Sequence, residues 1–162
     1  MLLHGLYGPA GAGKSAIAQL IAELCYNANL LAASFFFSHT AVGCSDKSCL
    51  IPTLVYQLCV SMPPIWKYVD DIIKKDPLVL SHLLEAQIQS LLEAQIQSLI
   101  IDPLHRILLD EKDTISICSG PKLIIIDSLN ECGTSNIQWY ILSVLATAIQ
   151  EILLPISFLI AS

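Results

Sequence analysis

The sequence predicts an α/β domain in which a parallel sheet of about four strands is covered by helices on both faces. Three observations carry that expectation. Short apolar runs of strand length alternate with segments of helical spacing along all 162 residues, the pattern of strands joined by helical crossovers. The chain is 54% hydrophobic and only 14% charged, as expected where strands are buried on both sides. Its length is that of one ordinary domain, and no linker or break in composition divides it, so residues 1–162 read as one unit.

The elements follow in order. Met1 to Tyr7 is short and apolar and ends in Gly8-Pro9, a strand running into a turn. From Lys14 to about Tyr26, Ile17, Ile21, Leu24 and Cys25 fall at helical spacing, so the turn opens a helix. Leu31 to Phe37 is a second buried run, followed by a loop from Ser38 to Ser48 rich in Gly, Ser, Asp and Lys. Ile51 to Val60 returns to helical spacing, Pro63-Pro64 stops it, and a short helix is expected from Ile65 to Lys75.

Leu83 to Ser90 reads LLEAQIQS, and Leu91 to Ser98 repeats it unchanged. Solenoid repeats recur at ~20–50 residues and vary, so the octapeptide reads as a recent local insertion or an error in the gene sequence rather than a partner-binding helix. Eight residues advance a helix by about 12 Å and turn its face by about 80° beyond two full turns. Leu84, Ile88, Leu92, Ile96 and Ile100 keep an i, i+4 ladder, so one helix survives. Its apolar stripe is expected to drift around the axis and leave part uncovered.

Asp110 to Pro121 is polar and turn-rich. Lys122 to Asp127 (KLIIID) is a buried strand ending in a carboxylate; Ile137 to Ile152 is a helix, Pro155 breaks it, and Ile156 to Ala161 is a last buried strand. The stretch Ile141 to Ser162 is apolar enough to suggest a membrane span, but Gln150, Glu151 and Pro155 in its middle oppose one. No membrane partner is expected.

The formal net charge is -6 and no cluster of Lys and Arg exists, which argues against nucleic acid as a main partner. Of six cysteines, Cys25, Cys59 and Cys118 lie in apolar or periodic segments, where free Cys acts as a small hydrophobe. The phosphate loop described next begins too near the amino terminus for a secretory leader, so a reducing cytoplasm is expected. His39, Cys44 and Cys49 are spaced by five, a poor match to the short ligand pairs of zinc sites.

Gly8-Pro9-Ala10-Gly11-Ala12-Gly13-Lys14-Ser15 fills every position of the phosphate-loop pattern. Glycines let backbone N–H groups approach phosphate oxygens with no Cβ in the way, and the following helix directs its positive end there. Lys14 is suited to reach the β- and γ-phosphates and the Ser15 hydroxyl to ligate Mg²⁺. Such a loop needs an acidic strand end for the metal, and Asp127 supplies it. Glu131 is either the acid that orients or activates an attacking water or a solvated loop acid.

The stretches HGLYGPAGAGKSAIAQLIAE, LAASFFFS, LIPTLVYQL, KDPLVLS, LIIIDSLNEC and LPISFLIAS, in this order, resemble the NACHT-type domain common in mushroom-forming fungi, often grouped with the nephrocystin-like amino-terminal domain. The resemblance implies a three-layer P-loop NTPase of the ASCE type, with Ile156–Ala161 lying between the loop strand and the Asp127 strand. It implies a signal-transduction ATPase of the STAND class: a switch that binds ATP or GTP with Mg²⁺ and oligomerises or engages protein partners. By position, Gly8, Gly13, Lys14 and Ser15 would form the phosphate loop, Asp127 the magnesium acid, Glu131 the catalytic acid, and Ser162 the end of a sensor strand.

Three departures stand out. Asp127-Ser128-Leu129-Asn130-Glu131 occurs where the family has Asp-Gly-Leu-Asp-Glu; Ser128 reads as a harmless small residue, and Asn130 removes a carboxylate and weakens hydrolysis. The octapeptide is the second. The third is that the family continues past the position of Ser162 with an Arg-Pro pair, a strand and a helical lid. The expected function is therefore a nucleoside-triphosphate-binding switch domain with slow or no hydrolysis. The alternative is a degenerate fragment serving only as a protein-interaction module. A small nucleotide or metabolite kinase is disfavoured, because no cluster of lid arginines is visible.

Overall fold

The computed structural model describes residues 3–38, 47–80, 88–109, 120–152 and 155–162. Its strands are β1 (Leu3–Leu6), β2 (Leu31–Phe36), β3 (Lys122–Asp127) and β4 (Ile156–Ala161). Its helices are α1 (Lys14–Asn27), α2 (Leu50–Ser61), α3 (Trp66–Lys75), α4 (Ile88–Ile96), α5 (Asp102–Leu109) and α6 (Ser135–Glu151). The four strands form one sheet in the order β1-β4-β3-β2, and every pairing is parallel. The last strand in sequence therefore lies between the first and the third, as the resemblance implies.

Successive strand residues point to opposite faces, and this alternation sorts the core into two layers. Ile124, Ile126, Phe158 and Ile160 face a large cluster with residues from α2 to α6. Leu123, Ile125, Leu159 and Ala161 face the other way, where α1 packs through Ala18 and Ala22. Two alanines one turn apart let the α1 backbone come close to the sheet. The result is a three-layer α/β structure, heavily covered on one face and covered by α1 among the described residues on the other.

The end of α1 ties it to the sheet. Asn29 takes a left-handed conformation (φ 57), and Leu30 N–H donates to Cys25 O at 2.7 Å while Asn29 N–H donates to Tyr26 O at 3.0 Å, the pairing that closes a helix with a left-handed residue. The buried Lys122 ammonium donates to Asn29 O at 2.7 Å, placing a cation at the negative end of the helix. Leu123 N–H then donates to Leu30 O, so the same turn leads directly into β2 beside β3.

The outer edge of β2 is sealed by side chains. Ser34 N–H donates to Gln57 Oε1 at 2.7 Å, and Gln57 Nε2 donates back to Ser34 O at 2.9 Å. One turn further along α2, the Ser61 hydroxyl donates to Ala32 O at 2.8 Å. A primary amide offers the same donor and acceptor as a peptide group, so Gln57 stands in for a neighbouring strand and blocks the edge.

The duplicated octapeptide is described from Ile88 onward. Residues 81–87 lie outside the described residues, while Leu92, Ile96 and Ile100 of the ladder are all buried. A π-helical segment, Gln97–Ile101, begins in the last two residues of the second copy. An i, i+4 ladder drifts by about 40° per step in an α-helix, and the wider π turn takes that drift back. Leu99, Ile101, Leu104 and Ile107 are accordingly buried as well, and this part of the stripe is not left uncovered. The loop at 39–46 and most of the segment 110–121 fall outside the described residues, as do His39, Cys44 and Cys118. No helix among the described residues is long and apolar enough to cross a membrane.

Substituting Gln57 by Ala strips both partners from Ser34. The expected cost is about 1–3 kcal/mol, read from denaturant unfolding midpoints; Ser61→Ala, which removes one bond, is expected to cost about 0.5–1.5 kcal/mol.

Candidate functional site

In a parallel sheet all carboxyl ends emerge on one edge, and open α/β sheets bind ligands in the crevice beyond that edge. Here β1 runs into the 7–13 turn and α1, β3 ends at Asp127, and β4 ends one residue before Ser162. Ser162 N–H donates to Leu6 O, holding the end of β4 against the end of β1. Because only β4 separates β1 from β3, the turn and Asp127 face each other. Between them is a pocket of about 360 Å³ lined by residues 10–16, Asp127, Ser128, Asn130, Glu131 and Ser162.

The turn has a defined backbone. Gly11 and Gly13 both take φ 80, a left-handed conformation that is costly for any residue with a Cβ. Ala12 N–H donates to Pro9 O at 3.2 Å, and Ile17 N–H donates to Gly13 O at 3.0 Å as the first turn of α1 closes. No side chain caps α1 and its first turn carries no acid, so its positive end is directed at the pocket without a competing charge from the helix itself. Lys14 Nζ folds back on its own loop, donating to Gly8 O at 2.7 Å and Pro9 O at 3.0 Å.

The opposite wall carries the acids. Asp127 is only 2% exposed and pairs in register with Phe36 of β2. Past it, Ser128 takes φ 56, ψ 39, and Leu129–Glu131 forms a 3₁₀ turn in which Glu131 N–H donates to Ser128 O at 2.8 Å. The Ser128 hydroxyl donates to Asp127 Oδ2 at 3.0 Å and lies 3.2 Å from Ser15 Oγ. These contacts join residues 113 positions apart in the chain.

The structure thus brings Ala10, Gly11, Ala12, Gly13, Lys14, Ser15, Asp127 and Glu131 to one pocket, with Ser162 beside them. Gly8 and Pro9 contribute the carbonyls that Lys14 engages. The family model described as Nephrocystin 3, N-terminal, matches residues 3–162. The chain belongs to the nephrocystin 3 N-terminal family. No curated protein and no solved structure matches it significantly.

Two residues of this nephrocystin 3 N-terminal domain escape the sequence reading. Ser128 reads there as a harmless small residue, yet its hydroxyl links the two walls of the pocket. The available signal was a Ser where the resembling family places Gly. Gln138, on α6, donates through Nε2 to Asn130 O and Gly133 O, each at 3.0 Å, and so fastens the acidic loop to the helix that follows. Nothing in the sequence distinguishes Gln138 from any polar residue on an exposed helix face.

The loop glycines are expected to differ sharply. Gly13→Ala places a Cβ at φ 80 and is expected to lower unfolding free energy by about 1–2 kcal/mol. A Cβ at Gly8 meets only Ala12 Cβ at 3.8 Å and Lys14 Cδ at 3.9 Å, so Gly8→Ala is expected to stay within about 0.5 kcal/mol of the native protein. Chemical denaturation of the two variants side by side checks both.

Proposed function

We propose that this chain binds a nucleoside triphosphate, ATP or GTP, together with Mg²⁺, as the nucleotide-gated part of a NACHT-type signalling switch with slow or no hydrolysis. The observation that carries the reading is the convergence of Lys14, Ser15 and Asp127 on one pocket at the carboxyl edge of the sheet. The pocket volume lies within the range of about 300–1,000 Å³ usual for small-molecule sites. The donor set also fits the metal: a hydroxyl and a carboxylate are the hard oxygen ligands that Mg²⁺ prefers.

Each residue then has a task. The backbone N–H groups of the loop and the start of α1 attract phosphate oxygens. Lys14 leaves the carbonyls of Gly8 and Pro9 for an anionic oxygen, exchanging neutral bonds for stronger charge-assisted ones. Ser15 and Asp127 would hold Mg²⁺, which neutralises charge on the phosphates when bound. Glu131 orients the attacking water. Asn130, on the same wall, adds no negative charge there, which supports slow turnover. A switch also needs two states, and the triphosphate must favour one by several kcal/mol to move the population decisively. Cys25, Cys49 and Cys59, present as thiols, fit a reducing cytoplasm.

A second reading, an interaction module without nucleotide, is favoured by the outer side of α1. Ile17, Leu20 and Leu24 are 45%, 56% and 61% exposed and form an apolar stripe at helical spacing. It fits self-association or a protein partner.

Thermal melting with and without Mg²⁺ and ATP or GTP separates them. At a hundred times the dissociation constant, ligand is expected to stabilise the native chain by about 2.7 kcal/mol, and Lys14→Ala is expected to lose most of that shift. An unshifted native melt leaves the interaction module as the surviving reading. Asn130→Asp is expected to raise hydrolysis of radiolabelled triphosphate; equal turnover would remove Asn130 as the cause of slow chemistry.

A further inference from the structure

The hydroxyl of Ser128 sits between the two groups assigned to the metal. It donates its one proton to Asp127 Oδ2 at 3.0 Å. A serine hydroxyl has a single O–H but two acceptor lone pairs. With that proton committed to the carboxylate, the 3.2 Å contact between Ser128 Oγ and Ser15 Oγ can only be donated by Ser15. The direction of the chain is therefore fixed: Ser15 O–H to Ser128 Oγ, and Ser128 O–H to Asp127 Oδ2.

This polarity matters for Ser15. A hydroxyl that ligates a cation must present lone pairs and turn its proton away. Unassisted, the Ser15 O–H is free to rotate and to donate into the pocket, where it would repel a cation. Ser128 gives that proton a fixed acceptor on the acidic wall. The backbone supports the same view, because Ser128 holds φ 56, a conformation in which a residue with a Cβ is disfavoured. The two hydroxyl contacts are what the strained position gains.

Resting on the nucleotide reading above, we infer that Ser128 is a positioning residue for Mg²⁺: it relays hydrogen bonding from Ser15 to Asp127 and so orients the Ser15 lone pairs toward the cation. Outer-sphere partners of this kind are worth about 10–100-fold in metal affinity. The relay acts only on the metal-dependent part of nucleotide binding, since the loop backbone and Lys14 meet the phosphates without it.

The experiment titrates a fluorescent ATP analogue into the native chain and into Ser128→Ala, Ser128→Gly, Ser15→Ala and the Ser15→Ala/Ser128→Ala pair, once in excess Mg²⁺ and once in EDTA. Both Ser128 variants are expected to bind about tenfold more weakly in Mg²⁺ and unchanged in EDTA. Ser128→Gly removes the hydroxyl without a left-handed penalty, so its melting temperature without ligand is expected not to fall, which separates metal positioning from stability. In the Ser15→Ala background, Ser128→Ala is expected to have no further effect, because the relay has lost its origin. Retention of the full Mg²⁺ advantage in both single Ser128 variants overturns the relay and leaves the nucleotide reading intact. An equal loss with Mg²⁺ and EDTA also overturns it, as a purely structural effect. Failure of the native chain to bind in either buffer overturns the nucleotide reading and the relay with it.

Discussion

Parallel pairing of β4 between β1 and β3 is the constraint on which the rest of the molecule depends. Leu3 to Leu6 align with Phe158 to Ala161 on one side, and Lys122 to Ile126 align with Ile156 to Ile160 on the other. A shift of one residue would send every β4 side chain to the opposite face. Phe158 and Ile160 would then leave the large core, and Ala161 would leave the close contact with α1. The same pairing sets the width of the pocket, because the 7–13 turn and Asp127 are held apart by one strand. Packing and site geometry are therefore one problem solved once.

Much of the architecture was legible in the sequence because burial on both faces leaves a plain signature. KLIIID is apolar between its charged ends and ISFLIA is apolar except for Ser157, and their observed bounds, Lys122–Asp127 and Ile156–Ala161, coincide with them. The helices were legible from apolar spacing, with ends off by a residue or two where local turns intervene: Pro63–Ile65 is a 3₁₀ turn rather than the start of α3, and α6 begins at Ser135 after Thr134. The strand order came from the resemblance and not from periodicity, which contains no information on which strands are neighbours.

What stayed hidden were interactions that depend on conformation or on distant partners. The π turn at Gln97–Ile101 adjusts helix pitch, and a ladder written for an α-helix cannot foresee it. Gln57 and Lys122 are polar residues whose roles exist only once β2 and the end of α1 are in place. In the site, the turn at residues 8–15 was readable because its pattern occupies eight consecutive positions. Ser128 was not, because its significance lies in a left-handed backbone and in a hydroxyl reached across 113 residues.

The two margins of the sheet are finished differently. The amide of Gln57 and the hydroxyl of Ser61 occupy the backbone groups of Ser34 and the carbonyl of Ala32 on the outer side of β2, whereas no described residue pairs with the outer side of β1, where Leu3 is 48% exposed. Open-ended fibres need two free margins per subunit so that each copy passes the contact on. With the β2 margin occupied, β1 is the margin left open among the described residues. Among the described residues, strand addition is therefore directed to the β1 margin and opposed at β2 by Gln57 and Ser61.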